Sequence, residues 1–345
     1  MMGCFTVRSL AGLLVAALGM MAPARADDVA DFYRGKRIIL VVGYGTGGGY
    51  DLYARMLGRF MSEHIPGKPT IVPQNMPGAG SRGAANWLYK VAPQDGTVLA
   101  TLSQTTPTDQ ALGQPGVQFD VRKLNWIGNM VVVNNLLFVS AASGVATVEQ
   151  AKSKALAIGA TGASSPSVLY PQVSDNLIGT RFKIVSGYPS GGDINIAVER
   201  GEVDGRGSDS WASMKSTHPD WLRDHKINIL VQVGLDPNPE LTAMGVPKLW
   251  KFISNDDDRK VAELVVSQQI FQRSYIAPPG TPPEQIKTLR AAFDATMSDP
   301  QFLADAETVR IAITPLSGAK VQEIVRKLYA TPKAIIERAR QVIKP

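Results

Sequence analysis

Arg37-Ile38-Ile39-Leu40-Val41-Val42-Gly43-Tyr44-Gly45-Thr46-Gly47-Gly48-Gly49-Tyr50-Asp51-Leu52-Tyr53-Ala54-Arg55 is the stretch from which the fold is read. Residues 37–42 form a short apolar run with the composition of a strand. Four glycines within residues 45–49 then break the pattern. From Asp51 to Met61 apolar side chains return at helical spacing, so a helix is expected over residues 51–61. A strand, a loop of small residues and a helix start together offer bare backbone N–H groups to an anion.

The same unit recurs along the chain. It is expected at residues 42–51, 73–83, 160–167, 185–194 and 203–211. Further strands are expected at 70–73, 97–102, 125–133, 136–140, 156–160, 182–185 and 227–233. Helices are expected at 83–91, 147–153, 167–178, 194–200, 284–297 and, with a turn at Thr331-Pro332, 319–343. Alternation of this kind places the chain in the α/β class. In open α/β sheets a ligand lies beyond the carboxyl ends of the strands, where these loops would converge. Each loop alone has the composition of an ordinary turn or helix cap. Four glycines in residues 45–49 and a second Gly-Gly-Asp at 191–193 point to a site.

The N-terminus is expected to be a targeting segment. Arg8 precedes an apolar run over residues 9–22, and Ala24-Arg25-Ala26 has the small-x-small form of a cleavage site. The run is shorter than the roughly 20 residues that span a bilayer. The lone cysteine, Cys4, lies ahead of the apolar run and leaves with residues 1–26. Disulfides, zinc–thiolate sites and cysteine nucleophiles are thereby excluded from the mature chain. Arg8 and Arg25 leave without any acid, so the formal charge falls from +6 to +4 over the remaining 319 residues. Basic residues are scattered without aromatic interleaving, which argues against nucleic acid.

Nucleotide and catalytic motifs are weak. The glycine run lacks a G-x-G-x-x-G frame with a ribose acid at the usual spacing, and no Gly-Lys-Ser/Thr element is present. His64, His218 and His225 fit no metal spacing and stand beside no G-x-S-x-G elbow, and each reads as a solvated surface histidine. Asn255-Asp256-Asp257-Asp258 lacks the alternating ligands of a calcium loop. Arg206, between two glycines in an expected loop, could grip a carboxylate with its planar fork or pair internally with Asp204 or Asp209.

Five motifs together carry a family resemblance. They are Gly48-Gly49-Tyr50-Asp51-Leu52-Tyr53-Ala54-Arg55, Asn75-Met76-Pro77-Gly78-Ala79-Gly80, Ala92-Pro93-Gln94-Asp95-Gly96-Thr97, the pair Tyr188-Pro189-Ser190-Gly191-Gly192 and Gly201-Glu202-Val203-Asp204, and Tyr275-Ile276-Ala277-Pro278-Pro279-Gly280-Thr281-Pro282. With them the chain resembles the periplasmic substrate-binding proteins of tripartite tricarboxylate transporters, the Bug/TctC family. The resemblance implies a type II periplasmic binding protein fold, in which two lobes joined by two crossing strands close on a ligand. The crossings are expected near residues 125–130 and 226–233, giving a signal peptide at 1–26, one lobe at 27–127 plus 232–345, and another at 128–231.

It also implies a small organic carboxylate (a di- or tricarboxylate or an aromatic acid), held by backbone amides, hydroxyls and bridging waters and passed to membrane permease subunits. The expected ligand residues are Tyr44, Thr46, Gly47, Gly48 and Asp51, Ser103 and Gln104, Thr161, Gly162, Ser164 and Ser165, Tyr188, Gly191, Gly192 and Asp193, and Arg206, Ser208 and Asp209. No catalytic residue, metal or cofactor is expected, and the protein is expected to be a periplasmic monomer. Alternatives are a sensing partner of a receptor, or a secreted hydrolase or lyase using Asp51 or Asp209 as base. Two departures from the family pattern lie at the presumed pocket. Gly45-Thr46-Gly47 replaces a usual proline, and Gly205-Arg206-Gly207-Ser208-Asp209 is more polar than in many members.

Overall fold

The computed structural model describes residues 24–132, 134–163 and 165–344. Most of the expected targeting segment, with Cys4, lies outside them, as does Ser164. The described chain opens in a helix, Ala24–Tyr33, that runs across the expected cleavage point.

Strand β1 (Arg37–Val42) lies inside a sheet, and its continuous apolar run reflects burial on both faces. Its partners are β2 (Thr70–Asn75) and β3 (Val98–Thr101), both parallel to it. β4 (Asn125–Asn129) then lies in the same sheet, while β5 (Asn135–Ser140), β6 (Leu156–Ala160), β7 (Phe182–Ser186), β8 (Gly205–Ser210) and β9 (Ile227–Val233) build a second. The chain returns to the first sheet through β10 (Ser274–Ala277) and β11 (Leu316–Ser317). The orders are β11-β4-β10-β3-β1-β2 and β7-β6-β8-β5-β9.

Helices cover both faces of each sheet. On one face of the first, Tyr53, Leu57 and Met61 of the helix Gly49–His64 meet Leu289 and Phe293 of the helix Pro283–Met297. Phe293 lies so close over β4 that any side chain at Gly128 would overlap its ring. In β5, Leu136 and Phe138 enter one core and Leu137 and Val139 another, the period-two pattern of a strand buried on both sides.

Three expectations change. Gly128 and Asn129 still pair with β10, and Val233 still pairs with Asn135. The chain therefore leaves the first sheet only after Asn129 and the second only after Val233, beyond the ends of the strands expected to cross. Arg206 is not in a loop but on β8, because the chain there is clamped between β5 and the helix Pro166–Ile178. Two of the three histidines are not merely solvated. His64 lies 2.9 Å from Asp299, and His218 stacks on Trp221 at 4.3 Å, where burial pushes its imidazole pKa down. His225 is exposed.

A cleft between the sheets

The parallel strands β1, β3, β6 and β8 all end toward one cleft of about 500 Å³, counted out to its mouth. The first sheet contributes Tyr44, the turn Gly48-Gly49-Tyr50, Gln104, Gln272 and Arg273. The second contributes Asn135, Thr161, Ser165, Pro166, Ser167, Ser190, Gly191, Arg206, Ser208, Asp209 and Ser210. Three long helices start here: Gly49–His64, Pro166–Ile178 and Gly191–Glu199. No side chain caps the first two. Both bring the partial positive charge of a helix start to the cleft, but the second opens on Pro166, which has no N–H, and its Val168 N–H already donates to Ser165 O at 3.0 Å. At the third, Ser190 Oγ already accepts from the N–H groups of Gly192 (3.1 Å) and Asp193 (3.3 Å).

The wall is aromatic and cationic. Tyr44 stacks on Tyr50 with ring centroids 4.6 Å apart, and the Tyr50 hydroxyl accepts from the Gln104 N–H at 2.9 Å. Burial pushes both phenols well above their ordinary range, so both are neutral. Arg206 Nη1 lies 2.8 Å from Asp209 Oδ2 and donates to Gly191 O (3.2 Å) and Asn195 Oδ1 (3.1 Å). The Asp209 contact is close but lacks hydrogen-bond alignment, since that oxygen has no hydrogen-bond partner. Burial pulls the Arg206 pKa below its ordinary value, against the pull of Asp209. Asp204, the other partner considered for Arg206, accepts instead from the Ala157 N–H at 2.7 Å. Among the described residues, five of the twelve buried polar side-chain atoms without a hydrogen bond belong to residues of this cleft: Asn135, Arg206, Asp209, Gln272 and Arg273. Buried polar atoms are normally satisfied, so these five are the cleft's unspent hydrogen-bonding groups.

Nine expected residues line the cleft: Tyr44, Gly48, Gln104, Thr161, Ser165, Gly191, Arg206, Ser208 and Asp209. Eight do not. Thr46 and Gly47 are exposed. Asp51 accepts from Arg55 Nε (2.9 Å), Asn75 (3.0 Å) and the Gly47 N–H (3.1 Å), and so fixes the glycine loop from behind. Burial raises its carboxyl pKa, but these bonds outweigh that and leave it below the ordinary value. Ser103 is turned inward to Thr105, at 2.9 Å. Gly162 packs on Gly80 and Gly192 faces Gly47 O, both as backbone contacts between loops. Asp193 accepts from the Ser190 hydroxyl at 2.7 Å. Tyr188 borders a neighbouring depression formed with residues 77–81, so the second strand–loop–helix unit does not reach the main cleft. Tyr50, Asn135, Gln272 and Arg273 line it without having been expected. Tyr50 stood inside the decisive glycine run. Arg273 offered one signal, a charge directly ahead of an apolar strand.

Among the described residues no group of three or more His, Cys, Asp or Glu could hold a metal ion. No helix among them is long and apolar enough to cross a membrane.

No family model matches the chain. It is 26% identical over 345 residues to a Cupriavidus necator protein named "UPF0065 protein in gbd 5'region", covering 97% of this chain and 96% of that one. Its fold is that of the periplasmic binding protein BugD, with a TM-score of 0.70 at 17% identity over 90% of this chain and 98% of the other. R. palustris Rpa4515, solved with adipate, has a TM-score of 0.68 at 19% identity over 88% and 97%. The two-sheet architecture expected from the sequence is thus the fold of these proteins. BugD is of the family that the motifs resemble.

Proposed function

We propose that this chain is a periplasmic solute-binding protein. It is exported on residues 1–26, closes two lobes on a small organic carboxylate and presents the ligand to permease subunits of a tripartite tricarboxylate-type transporter, as a monomer without cofactor. The observation that carries this is the cleft. Strand ends from both sheets, two uncapped helix starts and two arginines with Asp209 beside one of them meet on one open-mouthed cleft. Such an arrangement holds an anion by donors and positive potential. The two lobes also touch at its rim, where the Gly45 N–H donates to Pro189 O at 3.0 Å. The adipate in Rpa4515 is in keeping with this ligand class.

Capture rather than turnover is supported by the carboxylates that might serve as a base. Asp51 is committed to Arg55 and Asn75, outside the cleft, and Asp209 lies against Arg206. Titration calorimetry with mono-, di- and tricarboxylates and aromatic acids tests the proposal. Heat is expected from at least one acid, and that acid should be recovered unchanged after denaturation. Silence toward every acid with a response to a sugar would overturn the ligand class, and a chemically altered acid would overturn the non-enzymatic reading.

A further inference from the structure

Arg273 is 3% exposed and borders the cleft, yet forms no ion pair within 4.0 Å among the described residues. Its Nη1 donates to the carbonyl of its own neighbour Gln272 (2.9 Å) and its Nη2 to Ser213 Oγ (3.2 Å). Its Nε has no partner. The guanidinium carbon lies 4.2 Å from the centre of the Tyr50 ring and 5.0 Å from that of Tyr53. Nη2 is so near Gly49 that a side chain there would overlap it.

This is an unfavourable place for a lone cation. Gly49 opens the helix Gly49–His64 and Ser213 lies in the first turn of Trp211–Thr217. The positive end of the longer helix lies against the guanidinium at Gly49, while the start of the short one is already capped by Ser210 Oγ, which accepts from the Ser213 N–H at 3.0 Å. A buried charge with no counter-charge is costly, and stacking on two tyrosines offsets only part of that cost. Arg206 differs, because Asp209 neutralises it at 2.8 Å.

We propose that Arg273 is the seat of the ligand's carboxylate and sets the cleft's preference for acids over neutral molecules, while Arg206 is a structural member of the opposite wall. The proposal rests on the carboxylate reading of the cleft and deepens it. A planar carboxylate suits the fork of a guanidinium better than a single ammonium does. A ligand oxygen there supplies the acceptor that Nε lacks and the negative charge that the guanidinium, set against the start of the helix Gly49–His64, requires. The resemblance implied a grip by backbone amides, hydroxyls and waters. A charged side chain adds a direct electrostatic requirement to it.

The test compares each acid with its own neutral amide. Acetate, malate, adipate and benzoate, and acetamide, malamide, adipamide and benzamide, are titrated into the wild-type protein and into Arg273→Met. For any acid that binds, the wild type is expected to prefer it over its amide at least about tenfold, the scale of a charge-assisted hydrogen bond. In Arg273→Met that preference should collapse toward unity. A residue that merely holds Ser213 and Gln272 in place would weaken acid and amide alike and leave the preference intact, which would overturn the proposal. If Arg273→Met does not fold, Arg273→Lys decides. Loss of at least severalfold in acid affinity is expected, and equal affinity would overturn a forked grip. Binding of no acid by the wild type, citrate included, would overturn the carboxylate reading itself, an outcome distinct from either of these.

Discussion

Arg206 and Arg273 border one cavity with opposite local circumstances, and the difference sets what each substitution does. Arg206 is tied to Asp209, whose side chain is 4% exposed. Removing one member of a buried pair leaves the other uncompensated. Arg206→Met is therefore expected to lower the unfolding free energy by about 3–5 kcal/mol. Adding Asp209→Leu should recover most of the loss, because an apolar pair of similar bulk replaces both charges. Urea denaturation of the single and double variants measures this. Equal stability of Arg206→Met and wild type would mean that Asp209 has another counter-charge. Arg206 drew notice in the sequence because two glycines flank it, and Asp209 was one of its two expected partners. Arg273 drew none. Its position directly ahead of an apolar strand was its one local signal, and the lack of an acid beside it among the described residues is a fact of the fold that the local sequence does not carry.

At the scale of elements, the strands with apolar runs were legible and those held by packing were not. β1, β6 and β9 were visible because Ile, Leu and Val fill positions buried on both faces. β8, Gly205-Arg206-Gly207-Ser208-Asp209-Ser210, has the composition of a loop. It is a strand because its glycines allow approach from both sides. A side chain at Gly205 would overlap Phe138 O on β5, and one at Gly207 would overlap Pro171 of the helix Pro166–Ile178. The loops meet across the cleft in the same way. A side chain at Gly162 would fall on the backbone of Ala79 and Gly80, which cannot swing aside as a side-chain tip can. Overpacking of this kind costs about 1–3 kcal/mol. Gly162→Ala is thus expected to hold the lobes apart and to weaken acid binding about 5- to 150-fold, with the stability of the unliganded protein nearly unchanged. Calorimetry gives the affinity, and X-ray scattering gives the matching rise in radius of gyration. Unchanged affinity would show that this contact plays no part in closure.

At the scale of the whole molecule, the repeated strand–loop–helix units carried the α/β class and the family resemblance carried the two-lobed plan, but neither gave the route between the lobes. The return passage, residues 234–273, is built of short turns and helices, including Pro239–Ala243 and Asp256–Val266, whose patterns are too brief to interpret locally. These segments also decide how the halves unfold. One continuous apolar core contains Val41 and Val98 of the first sheet together with Leu137, Val139 and Ile158 of the second. The helices Asp256–Val266 and Lys333–Val342 pack on one another, and Asn176 Nδ2 of the helix Pro166–Ile178 donates to Val342 O at 2.8 Å. The C-terminal helix thereby ties the second sheet to the end of the chain. A cleft flanked by independent lobes would melt in two steps, the ligand acting on whichever lobe held it. A shared core predicts one transition, with calorimetric and van't Hoff enthalpies equal. A bound acid at about one hundred times its dissociation constant should add about 2.7 kcal/mol and move that single transition upward intact. Two resolved transitions, or a ligand that displaces only one of them, would show that the lobes are thermodynamically separate and that the common core does not couple them.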